Sequence, residues 1–278
     1  MFTLNCKGRL LIVDKPIVMG VINVTPDSFY SGSRQQRIDV ILELAGQMIK
    51  DGAAVLDIGG QSTRPGSEKL SEEEELTRAI APIAAISKNF PEAIISIDTY
   101  YSKVAAMAVE AGASVVNDIS AGSIDPAMIK TVSTLNVPYV LMHMQGAPQN
   151  MQQQPHYENV TKEVLDFMVK KITELHKAGI TDIIADPGFG FGKTIAHNFK
   201  LLRNLSVFNL LNCPVMVGIS RKSTIYKTLG ITADDSLNGT TVLNTMGLMN
   251  GATILRVHDV KEAVEAVKLF NAYRQAGK

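Results

Sequence analysis

A chain of 278 residues, 46% of them hydrophobic, can bury the core of one large α/β domain, since a (β/α)8 barrel typically takes about 250 residues, or of two small ones. Its 27 Lys and Arg balance 27 Asp and Glu, which excludes the basic surface of a general nucleic-acid binder and leaves any anionic ligand to local cations. Two distant cysteines, Cys6 and Cys213, exclude a disulfide framework, and five histidines without C-x-x-C or H-E-x-x-H spacing argue against structural zinc.

Residues 2–6 and 9–13 flank Lys7-Gly8 and predict a small hairpin, with residues 1–14 as its extent. No basic-then-apolar leader pattern opens the sequence, and the apolar stretch 10–24 is broken by Asp14-Lys15-Pro16. It is too short to span a bilayer, so a cytoplasmic protein without membrane or nucleic-acid partners is expected.

From there one pattern repeats. An apolar run of strand length, 17–24, is followed by a polar loop, 25–36, and then by helical spacing at Ile38, Ile41, Leu42, Ala45, Met48 and Ile49. The second unit has a strand at 54–58, a Gly-Gly-Gln-Ser-Thr-Arg-Pro-Gly loop, and a helix opened by Ser71 with Glu74 three residues on, the pattern of a capping box. The glutamates at 72–75 therefore read as a solvated first turn favoured by the helix dipole. Strands at 94–97, 114–116, 138–142, 182–185, 214–218 and 253–255 precede helices from Ser102, from Asp125, over 160–177, over 198–204, from Ser223 and over 260–273; an extra helical stretch lies at 237–249.

The stretch from Asp182 to Lys193 delivers an acid, Asp186, at the end of a short apolar strand and follows it with Gly188, Gly190 and Gly192. Gly192-Lys193-Thr194 imitates the end of a phosphate-binding loop, but that motif needs a glycine five residues before Gly192, where Pro187 stands, and G-x-G-x-x-G fails as well. Lys193 and Thr194 are accordingly expected to be dispensable for chemistry.

Eight β-then-α units without a Pro/Gly/Ser linker predict an α/β fold, a (β/α)8 TIM barrel in a single domain over residues 1–278, with a doubly wound open sheet as the alternative. Barrel sites lie at the C-terminal ends of the strands. Those ends carry Asn23, Asp57, Asp98, Asn117, His143, Asp186, Ser220-Arg221-Lys222 and Arg256-x-His258. Any one of them can be a satisfied structural group; together they describe a polar pocket. Asp98, Asn117 and Asp186 offer acceptors to a heterocycle rich in N–H donors, whereas Arg64, Lys222, Arg256 and His258 suit phosphate or carboxylate oxygens. Asn23, with Asp27 four residues on, either helps to hold a hard cation such as Mg2+ or caps the turn into Thr25-Pro26.

Met19-Gly-Val-Ile-Asn-Val-Thr-Pro-Asp-Ser-Phe29, Asp57-Ile-Gly-Gly-Gln-Ser-Thr-Arg-Pro-Gly66, Ile97-Asp-Thr99, Asn117-Asp-Ile119, Met142-His-Met-Gln-Gly146, Asp186-Pro-Gly-Phe-Gly-Phe-Gly-Lys193, Gly218-Ile-Ser-Arg-Lys-Ser223 and Arg256-Val-His-Asp-Val260 together resemble the dihydropteroate synthase family, one motif per strand. The resemblance implies condensation of 6-hydroxymethyl-7,8-dihydropterin diphosphate with 4-aminobenzoate, with Mg2+ as cofactor, release of diphosphate, sulfonamides as inhibitors, and a homodimer formed through the last helices. It implies a pterin set of Asp98, Asn117, Met142, Asp186, Lys222 and Arg256, and a diphosphate set of Asn23, Arg64, Arg256 and His258, with Asn23 also on the metal. Thr63, Arg64, Pro65, Phe29, Phe191, Lys222 and Ser223 make up its 4-aminobenzoate side. Asn23, Lys222, Arg256, His258 and Arg64 are the implied catalytic residues.

The chain departs from the family pattern at Ser31, where many members carry an acid, and at Gln61, where many have glutamate and no substrate contact is expected. Two rival readings use the same barrel. A pterin-binding domain of a cobalamin-dependent methyltransferase needs no cations for diphosphate, whereas Ser220-Arg-Lys-Ser223 and Arg256-x-His258 are present here; a non-catalytic pterin binder would be expected to lose Lys222, Arg256 or the first two loops.

Overall fold

The computed structural model describes residues 1–24, 34–61, 70–147, 151 and 154–276. A two-stranded antiparallel sheet, β1 (Phe2–Cys6) and β2 (Arg9–Val13), precedes eight parallel strands: β3 (Ile17–Asn23), β4 (Val55–Gly59), β5 (Ile95–Asp98), β6 (Val115–Asp118), β7 (Tyr139–Met142), β8 (Ile183–Asp186), β9 (Met216–Val217) and β10 (Ile254–Val257). Their order, β8-β7-β6-β5-β4-β3-β10-β9, is closed by a parallel bridge between Ala185 and Val215. The helices are α1 (Arg34–Asp51), α2 (Glu72–Asn89), α3 (Ser102–Ala111), α4 (Met128–Leu135), α5 (Val160–Lys177), α6 (Ile195–Arg203), α7 (Ser223–Leu229), α8 (Leu237–Met249) and α9 (Val260–Gln275). The expected (β/α)8 barrel with its terminal hairpin is what the chain forms.

Side chains alternate across a strand, and this alternation divides the barrel interior into two storeys. Met19, Val55, Val115, Val140, Ile184, Met216 and Ile254, with the partly buried Ile94, form an apolar floor. Leu4, Cys6, Leu11 and Val13 of the hairpin pack against it from below, each full burial of an aliphatic side chain being worth about 2 kcal/mol. Two residues further along the eight strands stand Val21, Asp57, Ser96, Asn117, Met142, Asp186, Gly218 and Arg256. The step from Ile184 to Asp186, or from Ile254 to Arg256, is thus the step from sealed floor to chemical site.

Strand and helix limits differ from the sequence reading where capping decides them. Helix α4 begins at Met128, not at Asp125, because the Asp125 carboxylate accepts from Ser102 N at 2.7 Å and Ala127 N at 2.9 Å and so caps α3 instead. Helix α6 starts at Ile195, since Thr194 caps it by accepting from His197 N at 3.1 Å. The capping box of α2 is present, with Ser71 N donating to Glu74 Oε2 at 2.9 Å. The solvated-turn reading of residues 72–75 is corrected at Glu75, which is fully buried with neither carboxyl oxygen hydrogen-bonded. The helix turns that position inward beneath Gly60, where a Cβ would lie 3.0 Å from Glu75 Cγ. Burial raises its pKa to about 8, against a lowering by Thr99.

Candidate active site

The polar storey is organised around Arg256. Its Nε donates to Asp57 Oδ2 at 2.7 Å, and Nη2 lies 2.6 Å from the same oxygen and 2.5 Å from Asp98 Oδ2. Asn117 Nδ2 donates to Asp57 Oδ2 as well, at 3.1 Å. Burial opposes the Arg256 charge, but Asp57 and Asp98 more than offset it, and the guanidinium is held above its ordinary pKa. Asp57 is fully buried; a β-strand delivers it there, and one oxygen fixes both the arginine and the amide. The residue was visible as a strand-end acid, yet nothing in its spacing marked it as the anchor of two neighbours.

Asp98 is raised to about 7, by burial against the opposing charge of Arg256, with Asp57 and Asp118 adding to the rise. Asp186 is also raised, by burial against Lys222; its Oδ1 accepts from Gly188 N at 2.8 Å. Lys222 is lowered to about 8, again by burial, while Asp186 opposes. A Cβ built on Gly218 would lie 3.8 Å from Lys222 Nζ and 3.9 Å from Asp186 Oδ2, so the amine and the carboxylate bracket the same glycine. Lys222 Nζ donates to Phe189 O at 2.6 Å and stands 4.6 Å from the centre of the Phe191 ring.

Asn23 ends β3 beside this group: a Cβ on Gly59 would lie 3.7 Å from Asn23 Oδ1 and 3.8 Å from Asp98 Oδ2. On the other flank, Ser220 Oγ lies 3.1 Å from His258 Nδ1 and accepts from His258 N at 3.3 Å. His258 keeps an exposed edge, yet its crowded setting and the Arg256 charge lower its pKa to about 4. Ser223 is the first residue of α7, directly after Lys222.

An apolar cluster adjoins the polar storey at Met142. Tyr100, Ile119, Met142, Met151 and Phe191 form one buried cluster, which brings together two expected residues, Met142 and Phe191, and three that sequence spacing did not find. They come from separate strand ends and loops, so no local period links them.

One strand-end group belongs elsewhere. His143, counted with the pocket in sequence, packs edge-on against Phe167 at 4.9 Å and meets Lys193 Nζ at 2.9 Å. Lys193 is 2% exposed and enclosed by backbone carbonyls, a place in the architecture of the loop that the expectation about chemistry did not address. Gln61 is buried and accepts from Leu70 N at 2.8 Å and Tyr100 OH at 3.3 Å. Asp27, Phe29, Ser31, Thr63, Arg64 and Pro65 lie outside the described residues.

The family profile described as pterin-binding enzyme matches residues 19–258. The dihydropteroate synthase of Escherichia coli K12 is 41% identical over 271 residues, covering 97% of this chain and 95% of that protein. The chain belongs to the dihydropteroate synthase family. Solved members superpose closely: the Yersinia pestis dihydropteroate synthase in complex with a sulfonamide drug has a TM-score of 0.93 at 39% identity, covering 99% of this chain and 100% of that one. The Xanthomonas albilineans dihydropteroate synthase with 4-aminobenzoic acid has a TM-score of 0.91 at 38% identity, with 98% of each chain covered. As a dihydropteroate synthase family member, the chain carries its acids around the ring, Asp57 on β4, Asp98 on β5 and Asp186 on β8, with Arg256 of β10 bonded to the first two and Lys222 beside the third.

Proposed function

We infer that the chain joins 4-aminobenzoate to 6-hydroxymethyl-7,8-dihydropterin diphosphate, releasing diphosphate and forming 7,8-dihydropteroate for folate synthesis. The observation that carries this reading is the layer of buried Asp98, Asn117 and Asp186 against half-buried Lys222 and Arg256 on a barrel 41% identical to a dihydropteroate synthase.

The chemistry suits that layer. An arylamine is neutral near pH 7 and already nucleophilic, so no strong base is required. The difficult event is departure of diphosphate from the methylene carbon, whose developing positive charge the dihydropterin ring delocalises. The nitrogen attacks that carbon, the carbon–oxygen bond breaks, and the amine proton leaves to solvent. In this reading Asp186 grips the donor edge of the ring, Asn117 and Asp98 hold its far side, and the apolar cluster around Met142 covers its face. Both carboxylates then face a ring that becomes more positive at the transition state.

Arg256, Lys222, Asn23 and His258 belong to the leaving-group end, with Arg64 from its own loop. Arg256 has five N–H donors, and its bonds to Asp57 and Asp98 use Nε and Nη2; Nη1 is the atom it would present to phosphate. Preorganised donors of this kind are typically worth about 3 kcal/mol each. Phe191, Lys222 and Ser223, with Phe29, Thr63, Arg64 and Pro65, form the 4-aminobenzoate side.

Among the described residues no group of three or more His, Cys, Asp or Glu is placed to hold a metal ion. The donor set nonetheless fits Mg2+, which keeps several waters and takes one or two protein oxygens plus phosphate oxygens. Asn23 Oδ1 would be that protein oxygen, and the ion would supply countercharge to the leaving diphosphate.

A homodimer is part of the proposal. Val242, Met246 and Met249 are exposed at helical spacing on α8, and Leu269 and Tyr273 on the adjoining α9, an apolar face that a second copy would cover. Met246→Glu should then shift the sedimenting species to monomer.

The deciding assay measures diphosphate release from the pterin diphosphate with and without 4-aminobenzoate and Mg2+. Release that depends on the arylamine and the metal is expected; no release with all components present rejects the reading. Asp186→Ala should abolish pterin binding by calorimetry while the fold persists.

A further inference from the structure

The glycine-rich loop after β8 has a second support that the reaction chemistry does not use. Lys193 Nζ, 2% exposed at the residue level, donates to Gly188 O at 2.9 Å and Phe191 O at 3.0 Å, and reaches His143 O at 3.3 Å and His143 Nδ1 at 2.9 Å. Burial lowers the Lys193 pKa to about 7 against the pull of Asp186; in its charged form the amine has three hydrogens, which four acceptors share. Burial lowers the pKa of His143 to about 3, which leaves its ring neutral and able to accept.

The loop so gripped has little freedom. Gly188 and Gly192 have φ of +72° and +62°, and a Cβ at either would collide with backbone, 1.9 Å from His143 O and 2.3 Å from Gln145 O. Tyr157 OH donates to Gly192 O at 3.0 Å, and Gly190 N donates to Asn198 Oδ1 at 2.8 Å. On the opposite side, the same few residues present Phe189 O and the Phe191 ring to Lys222.

We propose that Lys193 is a positioning residue for the reaction, a buried tether that sets the height of the loop and thereby the contacts by which Phe189 and Phe191 hold Lys222. This rests on the roles assigned above to Lys222 and Phe191. The geometry explains why an amine stands at this depth. Three carbonyl oxygens and an imidazole nitrogen converge on one point, and an apolar side chain of equal length would leave them buried without a donor. The residue that imitates the lysine of a nucleotide loop therefore faces its own backbone, and its influence on substrate passes through a second lysine.

Lys193→Met keeps the length and removes the donors; Lys193→Gln keeps two donors and is the milder change. Both are to be assayed by diphosphate release with each substrate varied in turn and across pH. For Lys193→Met the KM for 4-aminobenzoate should rise on the order of tenfold, more than the KM for the pterin substrate, with Lys193→Gln in between. The alkaline limb of kcat/KM, set in the native protein by Lys222 near its pKa of about 8, should move to lower pH, because Phe189 O and the Phe191 ring stabilise the ammonium and withdraw with the loop. Met128→Ala, a core truncation in α4, should lower stability and leave both quantities unchanged. Folded Lys193 variants with native KM and an unmoved alkaline limb overturn the inference. Native protein that releases no diphosphate rejects the parent reading instead, and this inference with it.

Discussion

Arg221 and Asp259 face each other in a bidentate pair, Nε to Oδ2 at 2.9 Å and Nη2 to Oδ1 at 2.7 Å. Each is the immediate neighbour of a site residue, Arg221 lying between Ser220 and Lys222 and Asp259 following His258. The Ser220–His258 contact and this pair are two adjacent rungs between the β9 and β10 loops. Arg221 Nη1 also donates to Asp234 O at 2.9 Å, and its backbone sits at φ +54°, a conformation that a non-glycine residue holds only under constraint from its surroundings. Arg221→Ala should lower kcat about tenfold with little change in either KM, and Arg221→Lys, which cannot make the fork, should not restore it. Steady-state kinetics with both substrates tests this; a native kcat for the alanine variant counts against it.

Asp57 tests the lower half of the site. Removing one partner of a buried ion pair costs about 3–5 kcal/mol, and here the loss also frees Asn117. Asp57→Asn should therefore reduce kcat/KM for the pterin substrate by about a hundredfold or more. Calorimetry should show weakened pterin binding, whereas a KM effect confined to 4-aminobenzoate would contradict the placement.

The pH profile follows from Asp98 and Lys222. Activity in this reading needs Asp98 ionised and Lys222 protonated. Since Asp98 is raised to about 7 and Lys222 lowered to about 8, kcat/KM should rise through the first value and fall through the second, giving a narrow bell. Asp98→Asn should remove the acid limb from whatever activity remains.

Glu75 makes a stability prediction of defined sign. Its folded pKa of about 8 lies above the ordinary glutamate value of 4.5, so the native chain binds more protons than the unfolded chain between those values, and its contribution to stability declines as pH rises through that window. Glu75→Gln removes the dependence. The variant should gain on the native protein by on the order of a few kcal/mol between pH 5 and 8, measured by urea unfolding at the two pH values. A constant difference would show that the carboxyl is already ionised.

The eight strands were legible because each is a short, continuous apolar run between glycine-rich or polar loops, and strands buried on both sides read that way. Asp98, Asn117, Asp186, Lys222 and Arg256 were legible because each closes or follows such a run. Sequence could not separate the four consecutive glutamates of α2, since dipole and capping arguments apply to all of them and only packing against Gly60 singles out Glu75. Nor could it assign Lys193, whose acceptors are backbone carbonyls that any residues would supply. The cluster of Tyr100, Ile119, Met142, Met151 and Phe191 depends on closure of the barrel, which brings separate turns to one rim.

Closure is also where the barrel is thinnest. Strand β9 has two residues, and β8 meets it through the single Ala185–Val215 bridge. Asp186 stands on one bank of that seam and Lys222 on the other, so a ligand gripping both is a rivet across the joint as well as a bound molecule. Substrate should slow hydrogen exchange most at the amides of Ala185 and of residues 215–218, and far less along β4 and β5. Recognition and mechanical closure of the barrel are, at this point of the ring, one event.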